Sequence, residues 1–317
     1  MISPHHNIGG YLESVGKLPT FEEKIAHLLM LRLPPDVAAR RATQLVADMN
    51  SVGLTLAISV TRAADEYQHR GLLVPVEYNL HGAPWDINHR DPNFALDGSE
   101  LDAGDLFHLA RVCEIGRRLI PDLWPLKLKK GLASGEHHLN TLNEVWWLNR
   151  FKSPTDIVNL DLVENDAPDW SFKLHCHNLP LPVRAEVKRR TKDIKRHIGM
   201  KPKSKVGLFG DIAHKFPTRN PGGLNLAAIT LYSEIDEHIR EATCEWLRKT
   251  PTVDAVLLWS HQSLNSAPAA IGARGDVESL LQDGMNHPDD EDMQAIGLVR
   301  HPLSDLPFPF PQVDTTK

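Results

Sequence analysis

The chain has 317 residues, 41% of them hydrophobic, enough for one large domain or two modest ones with a sizeable core. Its formal net charge is −6 and its pI about 6.3, which excludes a protein that binds nucleic acid through its overall charge. A nucleic-acid binder of this composition must rely on local charge.

Cys113, Cys176 and Cys244 lie far apart and form no CxxC pair, which predicts buried free thiols in a reducing compartment. The first residues, Met1-Ile2-Ser3-Pro4-His5-His6, lack the basic-then-apolar pattern of a signal peptide. The most apolar stretch, Leu45 to Val60, contains Asp48 and Asn50 and is too short and polar to span a bilayer. The expectation is a soluble, cytoplasmic protein with no membrane partner.

Residues 20–70 read as helical. Thr20 and Glu23 make a capping-box pattern, and Ile25, Leu28 and Leu29 follow on one helical face. Pro34-Pro35 ends that helix and can start the next, with Val37, Ala38, Ala42, Leu45, Val46 and Met49 as its stripe. A third helical stretch is expected from Ser51 to about His69, then irregular chain with a short strand around Leu73–Tyr78. Leu106, Leu109, Ala110, Cys113 and Leu119 predict a further helix before Pro121. The whole of 1–130 is expected to be a mainly helical N-terminal region.

After Gly131 the pattern changes. Residues 136–151 read as a helix, followed by two alternating segments, 169–177 and 183–188. Two apolar runs come next, Leu224–Tyr232 and Val253–Trp259. The helix between the runs carries Ile235, Ile239, Ala242 and Trp246 on one stripe, with Ser233 as its cap and Asp236 at the capping-box position. Apolar strands flanking a helix imply a βαβ crossover in a buried sheet. The expected fold class is α/β, a mixed sheet flanked by helices over 131–262. Residues 263–317, with an acidic patch at 289–292 and a proline-rich end, are expected to form a polar tail holding at most one short helix.

The chemistry-bearing residues fall on the alternating segments. Side chains alternate between the faces of a strand. Asp169, Ser171, Lys173, His175 and His177 therefore share one face of the first, and Arg184, Glu186, Lys188 and Arg190 one face of the second. Pro168-Asp169 and Glu186-Val187-Lys188 are separated by 17 residues from acid to acid. If the segments pair as a hairpin in the right register, two acids and a lysine converge. Either half alone carries nothing: Glu22-Glu23-Lys24 and Asp193-Ile194-Lys195 repeat the acid–x–lysine pattern, and Pro-Asp also occurs at Pro35, Pro121 and Pro288. The order, the spacing and the amphipathic strands distinguish residues 168–188.

This combination resembles the PD-(D/E)xK nuclease superfamily, the restriction-endonuclease-like fold, over about 131–260. The resemblance implies a nuclease in which Asp169 and Glu186 bind Mg²⁺ or Mn²⁺ and Lys188 orients or helps deprotonate the attacking water, or pairs with the phosphate. The family often carries a glutamate on the helix before the core strands. Glu144 in Leu142-Asn143-Glu144-Val145 fits that place, with Glu136 as the alternative. No glutamine-tyrosine motif follows the lysine, and no restriction-enzyme specificity region is recognisable.

Residues 184–205 hold ten Lys and Arg against Glu186 and Asp193 alone. Arg184, Arg189, Arg190, Lys192, Lys195 and Arg196 are the candidate nucleic-acid contacts, beside the place where a phosphate backbone would lie. A solvated surface is the competing explanation of such a run. His175-Cys176-His177 and His137-His138 read as surface histidines, and no glycine-rich phosphate loop, H-E-x-x-H or G-x-S-x-G motif occurs.

The expected function is a metal-dependent nuclease acting on DNA. The N-terminal region would serve substrate recognition, a protein partner or self-association. The alternatives are a non-catalytic nucleic-acid- or protein-binding member of the same fold, and an interaction protein whose α/β domain is unrelated.

Overall fold

The structure, a computed structural model, describes residues 8–31, 33–53, 55–59, 77–81, 106–132, 138–164, 166–176, 179–190, 209, 211–231, 234–260, 268–286 and 312–315. The chain divides into two compact units, Met1–Leu142 with Asp289–Lys317, and Asn143–Pro288.

The first unit is mainly helical among the described residues. Helices α1 (Ile8–Gly16), α2 (Phe21–Leu29) and α3 (Pro35–Ser51) precede a two-stranded antiparallel pair, β1 (Thr55–Ser59) and β2 (Glu77–His81). Helices α4 (Leu106–Leu119) and α5 (Trp124–Leu132) follow. The expected capping box forms: Thr20 accepts from the Glu23 N–H, and the Glu23 carboxylate reaches back to the Thr20 N–H. Pro35 opens α3 at a position where a helix needs no N–H donor. The helix expected from Ser51 to about His69 does not form over Thr55–Ser59, and residues 60–69 lie outside the described residues. Gly53, at φ +75°, turns the chain out of α3, and Thr55–Ser59 form β1. In the core of this unit Asp48 accepts from the Trp124 indole at 3.1 Å and pairs with Arg117 at 3.1 Å. Arg41, 4% exposed, is paired with Glu114 at 2.6 Å, because a buried guanidinium needs a partner.

The second unit is an α/β layer structure. The unit boundary falls within helix α6 (His138–Leu148). Then come β3 (Thr155–Asn159), a 3₁₀ turn (Leu160–Leu162), β4 (Trp170–Cys176), β5 (Leu179–Arg190), the short helix α7 (Ile212–Lys215), β6 (Leu224–Leu231), α8 (Glu237–Lys249), β7 (Ala255–Ser260), β8 (Ala269–Gly272) and α9 (Gly275–Gly284). The six strands form one mixed sheet in the order β3-β4-β5-β6-β7-β8. β5, β6 and β7 run parallel, and the other neighbours pair antiparallel.

The β6–α8–β7 crossover is the expected βαβ unit. Both strands are buried at every position, as a parallel sheet covered on two faces requires. The cap of α8 differs from the expectation. Asp236 itself is the N-cap, its carboxylate accepting from the Ile239 N–H at 3.0 Å, and Ser233 lies outside the described residues. Ile239, Trp246 and Leu247 of α8 pack with Ala227, Ile229, Leu231, Val256 and Leu258 on one face of the sheet. Ile212 and Phe216 at α7 join the same cluster, and Phe209 stacks on Trp246 with ring centroids 4.3 Å apart. The other face carries α6, through Trp147 and Asn143 bonded to Thr230 of β6, and α9, whose Gly284 lies against Leu174 of β4.

The segment expected to be a polar tail contributes to this sheet. β8 pairs with β7 over Leu258↔Ala269 to Ala255↔Gly272, and α9 buries Val277 and Leu281. The apolar positions of a four-residue strand and a ten-residue helix are too few to stand out in a polar stretch. No helix among the described residues is long and apolar enough to cross a membrane.

Candidate metal and phosphate site

The hairpin between β4 and β5 sets the site. Antiparallel pairing matches Trp170 with Ala185 and Ser171 with Arg184, so Asp169, one residue before β4, lies opposite Glu186. The alternation read from the sequence is present in β4: Trp170, Phe172, Leu174 and Cys176 are buried, while Lys173 and His175 are exposed. Arg184, Glu186, Lys188 and Arg190 share one face of β5, beside Asn225, Ala227, Ile229 and Leu231 of β6.

Asp169 precedes the first paired residue of β4, so its side chain is not bound to the pleat of the strand. It is held from several directions. Its N–H donates to Glu186 Oε2 at 3.2 Å, and its own Oδ2 accepts from the Val187 N–H at 2.7 Å. Its carbonyl accepts from the Asn159 side-chain amide at 2.8 Å and from the Leu160 N–H at 3.0 Å. Asn159 is 1% exposed, so this clamp is shielded from water.

Glu186 has no exposed surface, and Lys188 Nζ lies 2.5 Å from its Oε1. Burial, then repulsion from Asp169, pushes the Glu186 carboxyl up to about 7, against the pull of Lys188 and Lys215. Burial alone would lower Lys188, but the charges of Glu186 and Asp169 outweigh it and hold the ammonium above its usual range. Burial also lowers Arg190, against Asp211 and Glu186.

Glu144 reaches the site from α6. The Trp147 indole donates to Thr230 Oγ1 at 2.9 Å, and the Thr230 hydroxyl donates to Asn143 Oδ1 at 2.7 Å, which anchors the helix turn bearing Glu144 to β6. Carboxylate oxygens of Glu144, Asp161 and Asp169 all lie within 4.8 Å of one another. Three converging hard oxygen donors suit a divalent cation such as Mg²⁺ or Mn²⁺. Glu186 is not one of these three, although its carboxylate touches the Asp169 backbone.

The structure therefore brings Asp169 to Glu186, Glu186 to Lys188, and Glu144 to Asp169. Among the basic candidates, Arg184 is exposed and Arg189 and Arg190 are half-buried on β5, while Lys192, Lys195, Arg196 and the alternative acid Glu136 lie outside the described residues. Two site residues escape the sequence reading. Asp161 is on the 3₁₀ turn after β3, in a run that also holds Glu164 and Asp166, and nothing local marks which acid will face Asp169. Lys215 ends a helix of four residues, too short to announce itself. His175 is exposed at the far part of β4, about 20 Å from Asp169 at the usual rise per residue. No protein-family model, curated protein or solved structure matches this chain.

Proposed function

We propose that the chain is a metal-dependent phosphodiester hydrolase, a nuclease with DNA as its expected substrate and a restriction-endonuclease-like core. The observation that carries this reading is the convergence of Asp169, Glu186 and Lys188 at the β4–β5 hairpin, with Glu144 and Asp161 beside them. Asp169, Glu144 and Asp161 would hold Mg²⁺ or Mn²⁺, with Glu186 adjoining through Asp169. A bound divalent cation supplies a Lewis acid that makes water a nucleophile near neutral pH and offsets charge developing on the phosphate.

The chain's own residues do the rest. The Asn159, Leu160 and Val187 contacts keep Asp169 in place, which preorganises the acid. Lys188, kept protonated by Glu186 and Asp169, orients the water and stabilises the anionic phosphate as an ammonium rather than as a base. In the reaction the water oxygen bonds to phosphorus and gives up a proton to solvent, one P–O ester bond breaks, and the leaving oxygen takes a proton from solvent. The exposed Arg184 and the basic stretch after it would draw the nucleic-acid backbone to the site.

One observation favours the non-catalytic alternative. The carboxylates of Asp169 and Glu186 each accept a backbone N–H across the hairpin, which is a sufficient structural role. The two readings separate in one assay. Wild type, Glu186→Ala and Lys188→Ala are incubated with plasmid, linear and single-stranded DNA in Mg²⁺, Mn²⁺ or EDTA. Metal-dependent cutting by wild type, lost in both folded variants, is expected. Absence of cutting by folded wild type in every condition would contradict the hydrolase reading.

A further inference from the structure

Two lysines act on Glu186, and they differ in what else they do. Lys188 is in contact with the carboxylate and flanked by Asp169. Lys215 comes from a different element, α7, and its charge also pulls on Glu186. Among the described residues the Lys215 side chain makes no hydrogen bond or ion pair, and the residue is half-buried.

The placement of α7 is not accidental. Ile212 is fully buried and Phe216 is 2% exposed, both in the core cluster that also holds Ala227, Ile229 and Leu231. Those three β6 residues are in register with Glu186, Lys188 and Arg190. In a parallel pair such residues share a face, so α7 is pinned over the face bearing the charged row of β5. Its two ends carry complementary charge. Asp211, just before the helix, acts on Lys188 and Arg190, and Lys215, at its end, acts on Glu186.

We infer that Lys215 is the cation that meets a phosphate of the bound nucleic-acid strand at this site, leaving Lys188 to serve Glu186 and the attacking water. This rests on the reading of the site as one that takes a phosphodiester. A compact ammonium already in contact with a buried carboxylate has fewer donors left for an incoming anion. An ammonium on the same face with no such partner keeps all of them.

The test measures binding apart from cleavage. Fluorescence anisotropy with a short labelled DNA duplex and the matching single strand, in Ca²⁺ over a range of salt, is compared for wild type, Lys215→Gln, Lys215→Arg and Lys249→Ala. Lys249 is an exposed lysine on α8 with its own partner, Glu245, and serves as the control for net charge. Loss of one phosphate contact lowers the slope of log affinity against log salt by about 0.9 on duplex or about 0.7 on single strand. That drop is expected in Lys215→Gln, with Lys215→Arg and Lys249→Ala close to wild type. A Lys215→Gln protein that is folded and keeps the wild-type slope overturns the inference, because a lysine that only offsets Glu186 would not change it. Wild-type protein that binds neither probe also overturns it. Metal-dependent cleavage by wild type together with an unchanged slope would leave the hydrolase reading standing and remove Lys215 alone. A lowered slope without cleavage would keep Lys215 as a phosphate contact and remove the hydrolase.

Discussion

Strands β5 and β6 lie side by side, parallel and in register, and on one face they carry opposite chemistry. Where β6 has Ala227, Ile229 and Leu231, β5 has Glu186, Lys188 and Arg190. The β6 row is entirely buried and packs under α8. The β5 row is buried at Glu186 and half-buried at the two cations. Apolar residues in the β5 row would continue the core and cost nothing in desolvation, whereas buried charges pay for their loss of water and seldom regain it in full. β6 is therefore scaffold, and the β5 row departs from it for a reason other than stability.

Carrying charge across to β6 should cost the most stability. Ile229→Lys puts an ammonium into a fully buried site without a carboxylate, and a loss of several kcal/mol is expected by urea denaturation. If that variant were as stable as wild type, the two rows would not differ in the way described. Removing one charge from β5 ranks next. Lys188→Met leaves Glu186 buried without its contact and is expected to cost about 3 kcal/mol in metal-free protein at alkaline pH.

Glu186 also makes the difference between the rows depend on pH. Its carboxyl is raised in the folded protein to about 7, from 4.5, chiefly by burial. The folded state therefore holds the proton more tightly than the unfolded chain. The stability this contributes is complete below about pH 4.5 and is lost as pH rises through about 7. Metal-free wild type should lose stability across that window through this group, and Glu186→Gln should flatten the profile. Equal slopes for the two proteins, measured by chemical denaturation at each pH, would count against a buried, raised Glu186. The smallest effect belongs to the scaffold: Asp236→Ala removes the α8 cap and should cost about 1 kcal/mol with cleavage unchanged.

Much of this layout was legible in the sequence because it is local. The Thr20–Glu23 box and Pro35 mark helix starts by their own hydrogen-bonding needs. Alternation in Trp170–Cys176 marks a half-buried strand, and the unbroken apolar runs of β6 and β7 mark a covered one. The pairing register was not legible. It depends on how the turn between β4 and β5 closes, and a shift of one residue would have moved Glu186 away from Asp169. Thr55–Ser59 departs from the helix expected from Ser51 to about His69, and the stop is Gly53 at positive φ. Ser233 and Asp236 are both good cap residues, and the choice between them lies in where the helix docks. Irregular β3, with a register shift and Asp156 at φ 51°, gives no clean alternation. Asp161 follows from that strand, so its approach to Asp169 is a tertiary fact. The same holds for Lys215, which is positioned by Ile212 and Phe216 in the core.

The claim that the charged row serves chemistry and not the fold is tested most directly by one double substitution, Glu186→Gln with Lys188→Met, which keeps an acceptor for the Asp169 N–H, with unfolding free energy and metal-dependent DNA cleavage measured on the same samples beside wild type. Wild type is expected to cleave, and the double variant to match or exceed its metal-free stability while showing no cleavage. A double variant that still cleaves, or one that is strongly destabilised beside a wild type that never cleaves, would contradict the account.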